Sequence, residues 1–227
     1  GDAVELDRLH RALAAALEGP GRRLGGIWLT HHHADHVGGV EATRAAFGVP
    51  VLAHPATAER LAARGLRVDG TLEDGERVVL AGEPPLALRV VHTPGHARGH
   101  LCFFDEEGRT LVAGDLVAGV GTIVVDPPEG DMDDYLASLE KALALAPATL
   151  LPAHGPAIHG GAAKLREYLE HRLWREERVL AAWRDGLRTP VAMLPTVYDD
   201  APPEALPLAA RQIEAHLTRL RRAGRLD

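Results

Sequence analysis

Cysteine is almost missing from this 227-residue chain, in which Cys102 stands alone. A single thiol closes no intrachain disulfide, which excludes a disulfide-stapled scaffold and suits a reducing, cytoplasmic setting. Long apolar runs are missing as well: none approaches the ~18 residues that a membrane-crossing helix needs, and no secretory leader is recognisable, so a soluble chain without a membrane partner is expected. There is no glycine-rich phosphate cradle and no pair of glutamates spaced for acid/base work. Nothing assigns Cys102 a nucleophile's role either, so a core thiol is expected. What remains is an ordinary globular composition, 46% hydrophobic and 25% charged with a net charge of −7. That is enough for one main domain with a real core, plus a small appendage.

Histidine is what the chain has in quantity. Thr30-His31-His32-His33-Ala34-Asp35-His36 follows a short apolar run, Ile27-Trp28-Leu29. In extended or tight-loop geometry His31 and His33 point one way, while Asp35 and His36 can turn toward a second point. Three further ligand-type residues each follow a strand-like run and a turn: His96 in Thr93-Pro94-Gly95-His96, Asp115 in Gly114-Asp115, and His154 in Pro152-Ala153-His154-Gly155. Each alone reads as an ordinary loop residue, but together they form a layout for two metal ions. Imidazole and carboxylate suit zinc, and a metal pair roughly 3.5–4 Å apart can acidify a shared water, so no side-chain nucleophile is required.

The order T-H-x-H-x-D-H, then T-P-G-H, G-D and a late H-G, resembles the metallo-β-lactamase superfamily over almost the whole chain. Gly121-Thr122-Ile123, the segment Asp131–Leu145, Pro152–Pro156 and Tyr168-Leu169-Glu170-His171-Arg172 look more specifically like its lactamase-β-like endoribonuclease group. The resemblance implies an αβ/βα sandwich and two zinc ions, with iron or manganese as alternatives. It implies His31, His33 and His96 on the first ion, Asp35, His36 and His154 on the second, and Asp115 bridging them, with Asp35 and Asp115 as the catalytic carboxylates. His32 falls at a variable position and is not expected to ligate. Family members open with additional strands before the first motif, whereas only about thirty residues precede it here, so a first sheet short of strands is expected, with an exposed edge.

Periodicity supports an α/β chain. Helices are expected over Val4–Leu17, Glu41–Phe47, Ala56–Arg64, Asp131–Leu145 and Ala162–Ala182, the last with Leu165, Leu169, Leu173 and Leu180 on its apolar face. Strands are expected at Val51–Ala53, Val78–Leu80, Leu86–His92, Leu101–Phe104, Thr110–Ala113 and Thr149–Leu151. The expected division is a metal-binding domain over 1–160, a connecting helix and linker over 161–187, and a small unit over 188–227. In that unit Pro207 opens a helix that Gly224 stops. The tail resembles the winged-helix segment that follows the metal domain in the endoribonuclease-like group, in a form too short for a full wing.

From Gly161 onward twelve Lys/Arg face ten Asp/Glu, a net +2 in an otherwise acidic chain, with Arg219, Arg221, Arg222 and Arg225 clustered. Such an end can touch phosphates, and a solvated helix face is an equal reading. Candidate substrate contacts are His100, Thr122, Tyr168, His171, Arg172, Arg221 and Arg222. A hydrogen-bonding role behind the ligands competes for His100, and packing competes for Tyr168.

Three functions are compatible with these residues. One is an endoribonuclease on single-stranded RNA, implied by the C-terminal resemblance. Another is a hydroxyacylglutathione-type thioester hydrolase, suggested by Thr93–His100, although that family's helical substrate domain is missing. The third is a nucleic-acid-binding module that keeps a metal only for structure, against which stand seven ligands where four suffice. A true β-lactamase commonly carries cysteine where Asp115 stands, and a flavin-linked diiron reductase carries glutamate in place of His33. The oligomeric state is open.

Overall fold

The computed structural model describes residues 3–226. Its first helix, α1 (Ala3–Ala16), leads into β1 (Ile27–Trp28), a short helix α2 (Ala34–Val37), α3 (Val40–Phe47), β2 (Val51–Ala53), α4 (Pro55–Ala62) and β3 (Gly70–Thr71). These three short strands form a parallel sheet in the order β1-β2-β3. Six more strands follow: β4 (Arg77–Leu80), β5 (Leu86–His92), β6 (Leu101–Asp105), β7 (Thr110–Gly114), then β8 (Thr149–Pro152) and β9 (Ile158–His159) after helix α5 (Met132–Ala144). They pair in sequence order, antiparallel except where β8 returns parallel to β7.

The two-residue period of a strand explains how one sequence covers both faces of the larger sheet. On β5 and β6, Val90, Leu101 and Phe103 join Trp28 and Leu52 of the small sheet in one cluster, with the Trp28 and Phe103 rings 5.4 Å apart. Their neighbours Val91, Cys102 and Phe104 face the other way, against Tyr135 and Leu139 of α5 and Leu165 of the next helix. Beyond the small sheet, Val40 of α3 and Leu61 of α4 pack on Leu29, Val51 and Ala53. The layers therefore run helix, sheet, sheet, helix: the αβ/βα sandwich expected from the resemblance. Cys102 is fully buried there, and burial pushes its thiol up to about 12, so it is an inert core residue.

The C-terminal region is helical: α6 (Gly161–Arg184), α7 (Pro190–Val197) and α8 (Leu206–Arg222). Val179, Leu180 and Ala182 of α6, Met193 and Val197 of α7, and Ile213, Leu217 and Leu220 of α8 share one core. The end of α6 thus belongs to this core as well as linking it to the sandwich. Pro207 does stand in the first turn of α8, and Gly224 takes a left-handed φ of 64° beyond it. Helix α7 carries no amphipathic signal and contains Pro195, so its helical signature is confined to its start, the N-cap Thr189 and Pro190 after it.

The buried face of α6 differs from the expected one. Leu173 lies 46% exposed, while Arg172, Arg175 and Glu176 sit inside with Leu165, Tyr168, Val179 and Leu180. Their partners lie on other elements, the Ile123 carbonyl and Gln212 for Arg172, Asp200 for Arg175 and Arg219 for Glu176, and helix periodicity read from hydropathy cannot register such partners. No helix among the described residues is long and apolar enough to cross a membrane.

Candidate metal centre

Four loops that leave strand ends meet at one edge of the sandwich. The first continues from β1 through Thr30 to His33, which has extended backbone at the N-terminus of α2. Asp35 and His36 lie on that single turn, so they face differently from His31 and His33. The second loop holds His96 after β5. Gly95 precedes it with φ 124°, and a Cβ there would lie 2.3 Å from the Tyr135 backbone, so only glycine lets this turn press on α5. Asp115 follows β7 through Gly114, whose φ is 49° and whose added Cβ would lie 2.7 Å from His100 Nε2. His154 follows β8, the parallel neighbour of β7, so pairing alone brings the two ends together. A hydrogen bond from Gly119 N to the His154 carbonyl, at 2.7 Å, ties the loops.

The side chains converge in two halves. His31 Nε2 lies 3.0 Å from His33 Nδ1 and 3.3 Å from His96 Nε2. His154 Nε2 and His36 Nε2 lie 3.4 and 3.5 Å from Asp35 Oδ2. Asp115 touches both: its Oδ2 is 3.4 Å from His96 Nε2 and 3.5 Å from His36 Nε2, and its Oδ1 is 3.5 Å from His154 Nε2. Donor atoms within each of the sets His31/His33/His96, His31/His36/Asp115 and Asp35/His36/His154 lie within 4.8 Å of one another. A further set joins His32, expected to stand apart, with His33 and Glu129. There His32 Nε2 is 2.9 Å from Glu129 Oε1, and no motif in the sequence marks that glutamate.

Protonation follows from burial and charge. His31 is pushed well below the ordinary histidine range by burial, then by the neighbouring His100, His36, His96 and His33. His33 falls to about 4 for the same first reason, with His96 and His32 beside it. For His36, burial works against the proton but the adjacent Asp115 carboxylate outweighs it, and the group is raised. Burial raises Asp115, and His36, His96 and His154 more than reverse this, so it stays ionised.

A cation fits these residues. The Val124 carbonyl can only accept, so at 2.7 Å it takes the His96 Nδ1 proton and leaves the Nε2 lone pair facing His31. His31 Nε2 carries at most one proton, so a single linear hydrogen bond serves only one of the His33 and His96 nitrogens that face it at 3.0 and 3.3 Å, whereas a cation would take the lone pairs of all three. His36 Nε2 and Asp115 Oδ1 are buried without a hydrogen-bond partner, a cost that native folds avoid unless a ligand collects it. Nitrogen and carboxylate oxygen are donors that suit zinc and related transition metals.

Most of the expected substrate contacts are elsewhere. His100 is fully buried: burial lowers it to about 3, its Nε2 accepts from Asp115 N at 2.9 Å, and its Nδ1 therefore donates to Thr93 Oγ1 at 2.8 Å. It holds the Asp115 backbone from a fully buried position. Tyr168 is buried with its hydroxyl accepting from Ala118 N and donating to Ala118 O. Arg172 is 2% exposed and donates to Gln212 and the Ile123 carbonyl. Arg222 pairs with Asp131 and Arg221 with Glu214. Arg219 and Arg225 pair with Glu176, so the basic helix end spends its charge on carboxylates of its own chain. Thr122 and His171 remain exposed. An apolar cavity of about 370 Å³, lined by Leu6, Leu9, Leu13 and Ile27, reaches Asp35 and His36.

A helix-sheet-sheet-helix sandwich with histidines and aspartates gathered at its strand ends defines a class of protein with clusters that could hold metal ions. Residues 2–154 match the metallo-beta-lactamase superfamily and residues 189–227 match the beta-lactamase associated winged helix domain; this chain belongs to the metallo-beta-lactamase superfamily. It is 32% identical over 221 residues to a beta-lactamase-like protein 2 homolog of Drosophila melanogaster, covering 88% of this chain and 69% of that one. Across eight of the curated relatives it matches, the chain spans from 43% to 69% of their length. Among solved structures, it is similar to the metallo-beta-lactamase family protein TTHA1429 of Thermus thermophilus, with TM-score 0.72 and 25% identity over 95% of this chain and 81% of that one. TTHA1623, solved in a di-iron-bound form, gives TM-score 0.55 and 34% identity over 68% of this chain and 82% of that one.

Proposed function

We propose that the chain is a zinc-dependent hydrolase working with two metal ions, and the observation that carries this is the position of Asp115 against both halves of the donor cluster. His31, His33 and His96 would hold one ion, Asp35, His36 and His154 the other, and Asp115 both. When bound, the metal pair supplies Lewis acidity and a nucleophile at neutral pH. The residues do the rest. Val124 fixes the His96 tautomer, and the His100 ring fixes the Asp115 backbone. Asp35, with 61% of its side chain exposed, is the donor placed to pass a proton to water. Iron or manganese would use the same donors, and the di-iron TTHA1623 makes iron the first alternative to test.

A small ester or thioester, including one of the hydroxyacylglutathione type, is the substrate we favour, because the arginines suited to a nucleic-acid backbone are paired internally and a leucine-lined cavity adjoins His36. A second reading, endonucleolytic cleavage of single-stranded RNA, is supported by the winged-helix match and by Trp174. That ring is 45% exposed on α6, between His171 at 5.8 Å and Arg178 at 5.0 Å. Exposed aromatic rings beside cations are platforms on which bases stack.

The test is metal analysis with paired assays. The wild type is expected to retain two equivalents of zinc and to turn over a glutathione thioester. Asp115→Ala is expected to lose metal and to fall at least about 100-fold in turnover, beyond the range of changes behind a ligand. Undiminished turnover in that variant rejects the two-metal reading. Metal-dependent cleavage of single-stranded RNA without thioester turnover promotes the second reading over the first.

A further inference from the structure

We infer that Arg172 of α6 and Gln212 of α8 are positioning residues for His96, making the helical C-terminal unit a working part of the metal centre. The contacts form a short chain. Arg172 Nη2 donates to the Ile123 carbonyl at 2.5 Å, and Gln212 Nε2 donates to the same oxygen at 3.2 Å. Arg172 Nη1 closes the triangle on Gln212 Oε1 at 3.1 Å. One peptide further along, the Val124 carbonyl accepts the His96 Nδ1 proton at 2.7 Å. Ile123 and Val125 are buried on either side, so the segment has no freedom to move one carbonyl and keep the other.

The expense of the arrangement is the second argument. Arg172 is 2% exposed, and among the described residues no carboxylate pairs with it. A guanidinium buried without a counter-charge is costly, and an apolar side chain of the same volume would pack there more cheaply. Its compensation comes from three oxygens, those of Gln212, Ile123 and, at 3.5 Å, Thr122, and from the Tyr135 ring, 5.2 Å away. Tyr135 is also the residue whose backbone Gly95 presses on, next to His96. The same charge therefore grips both flanks of the ligand: the carbonyl side through Ile123 and the Cα side through Tyr135. Tyr168 does the equivalent for the loop after Asp115 by satisfying both backbone groups of Ala118.

The consequence is that α6 and α8 set the orientation of His96 rather than contacting substrate, and anything that shifts α8 against the sandwich changes metal retention. This rests on the proposal that His96 ligates a metal, and the two can fail separately. The experiment uses the full chain labelled with ¹⁵N-histidine, first stripped of metal. Wild-type His96 is expected to show a single Nδ1-protonated ring, since the Val124 carbonyl demands it. Gln212→Leu and Arg172→Met are expected to give mixed tautomers at His96 alone, and zinc competition against a chelator should then show about tenfold weaker binding of one equivalent, with the other unchanged. Arg172→Lys, which can reach Ile123 but not hold the triangle, should fall between. Met193→Ala, in the apolar core of the same unit, serves as the control for simple destabilisation and should leave the His96 tautomer as in the wild type.

A single Nδ1-protonated His96 in both Gln212→Leu and Arg172→Met overturns the inference. So does a Met193→Ala variant that disturbs His96 as much as they do, because the effect would then be general loosening. A tautomer change in a protein that binds no zinc at all upholds the positioning role and defeats the metal reading instead.

Discussion

The metal-site loops and the helical C-terminal unit both bury polar side chains, and they do so in opposite ways. Around Asp115, imidazoles are gathered against one another, and His36 Nε2 and Asp115 Oδ1 have no hydrogen-bond partner. In the helical unit the signs alternate. Arg175 pairs with Asp200, Arg178 with Asp199, Arg219 with Glu176 and Asp133, and Arg225 with Glu176 and Glu177. The first arrangement is unstable by itself and asks for a cation. The second sets charge against opposite charge, although Arg175 Nε, Glu176 Oε2 and both His216 ring nitrogens also lack a hydrogen-bond partner. The clustered histidines are therefore where a ligand is called for, whereas the arginine pairs are mortar that joins α6 to α8 and to the turn after α7, and α8 to α5.

The contrast can be broken most severely at the metal site. Zinc in 100-fold excess over its dissociation constant should raise wild-type stability by about 2.7 kcal/mol per occupied site, and Asp115→Ala should remove most of that response. Urea unfolding with and without zinc measures it, and an equal zinc response in both proteins would show that the gathered donors are not what binds. Next in size is the apolar core of the helical unit. Leu217 is fully buried among Ile213, Leu220 and Val179, so Leu217→Ala should cost about 2–5 kcal/mol in the same assay. A loss below about 1 kcal/mol would mean that the arginine pairs, not this core, hold the helices together.

Glu176 tests the mortar itself. It is 2% exposed and touches Arg219, Arg225 and His216. Burial raises its carboxyl, but His216 and Arg219 more than offset this and hold it below the ordinary range. A carboxyl with a depressed folded value stabilises the fold above its unfolded value, about 4.3, and that contribution is lost as pH falls through the folded value. Glu176→Gln should therefore cost about 3 kcal/mol near neutrality, at the low end for a broken buried pair because Arg219 and Arg225 reach water. The gap from the wild type should be flat above about pH 5 and close as pH falls. A gap that widens in acid would contradict the sign. The smallest effect belongs to Arg221, whose pair with Glu214 is exposed on both sides: Arg221→Ala should change stability by less than about 1 kcal/mol. If RNA is the substrate, the same change should reduce the salt dependence of binding by about one unit. No change in salt dependence would count for the ester reading.

Much of the site can be read from residue order because strand ends are a local property. Apolar runs, glycine turns and the donors that follow them are written consecutively, and six of the strands and six of the helices fall where periodicity and end signals place them. Helix α7 and the two-residue strands β3 and β9 are illegible, since so short a strand, or a helix interrupted by Pro195, has no period to show. The burial of several expected substrate contacts escapes the sequence for a different reason. Tyr168, Arg172 and His100 look like free polar groups in a sequence because their partners, Ala118, Ile123, Gln212 and the Asp115 backbone, are 15 to 50 residues away or are backbone atoms with no identity of their own.

What the sequence determined by itself was the set of donors, the α/β alternation and the presence of a small helical tail, because each depends on neighbours in the chain. Only the tertiary structure decided which face of α6 is buried, that the basic end of α8 is neutralised by Asp131, Asp133 and Glu176, and that the carbonyl orienting His96 is itself held from the C-terminal unit. Charge and hydrogen bonding act through space at a few ångströms, and a linear order of residues does not contain those distances.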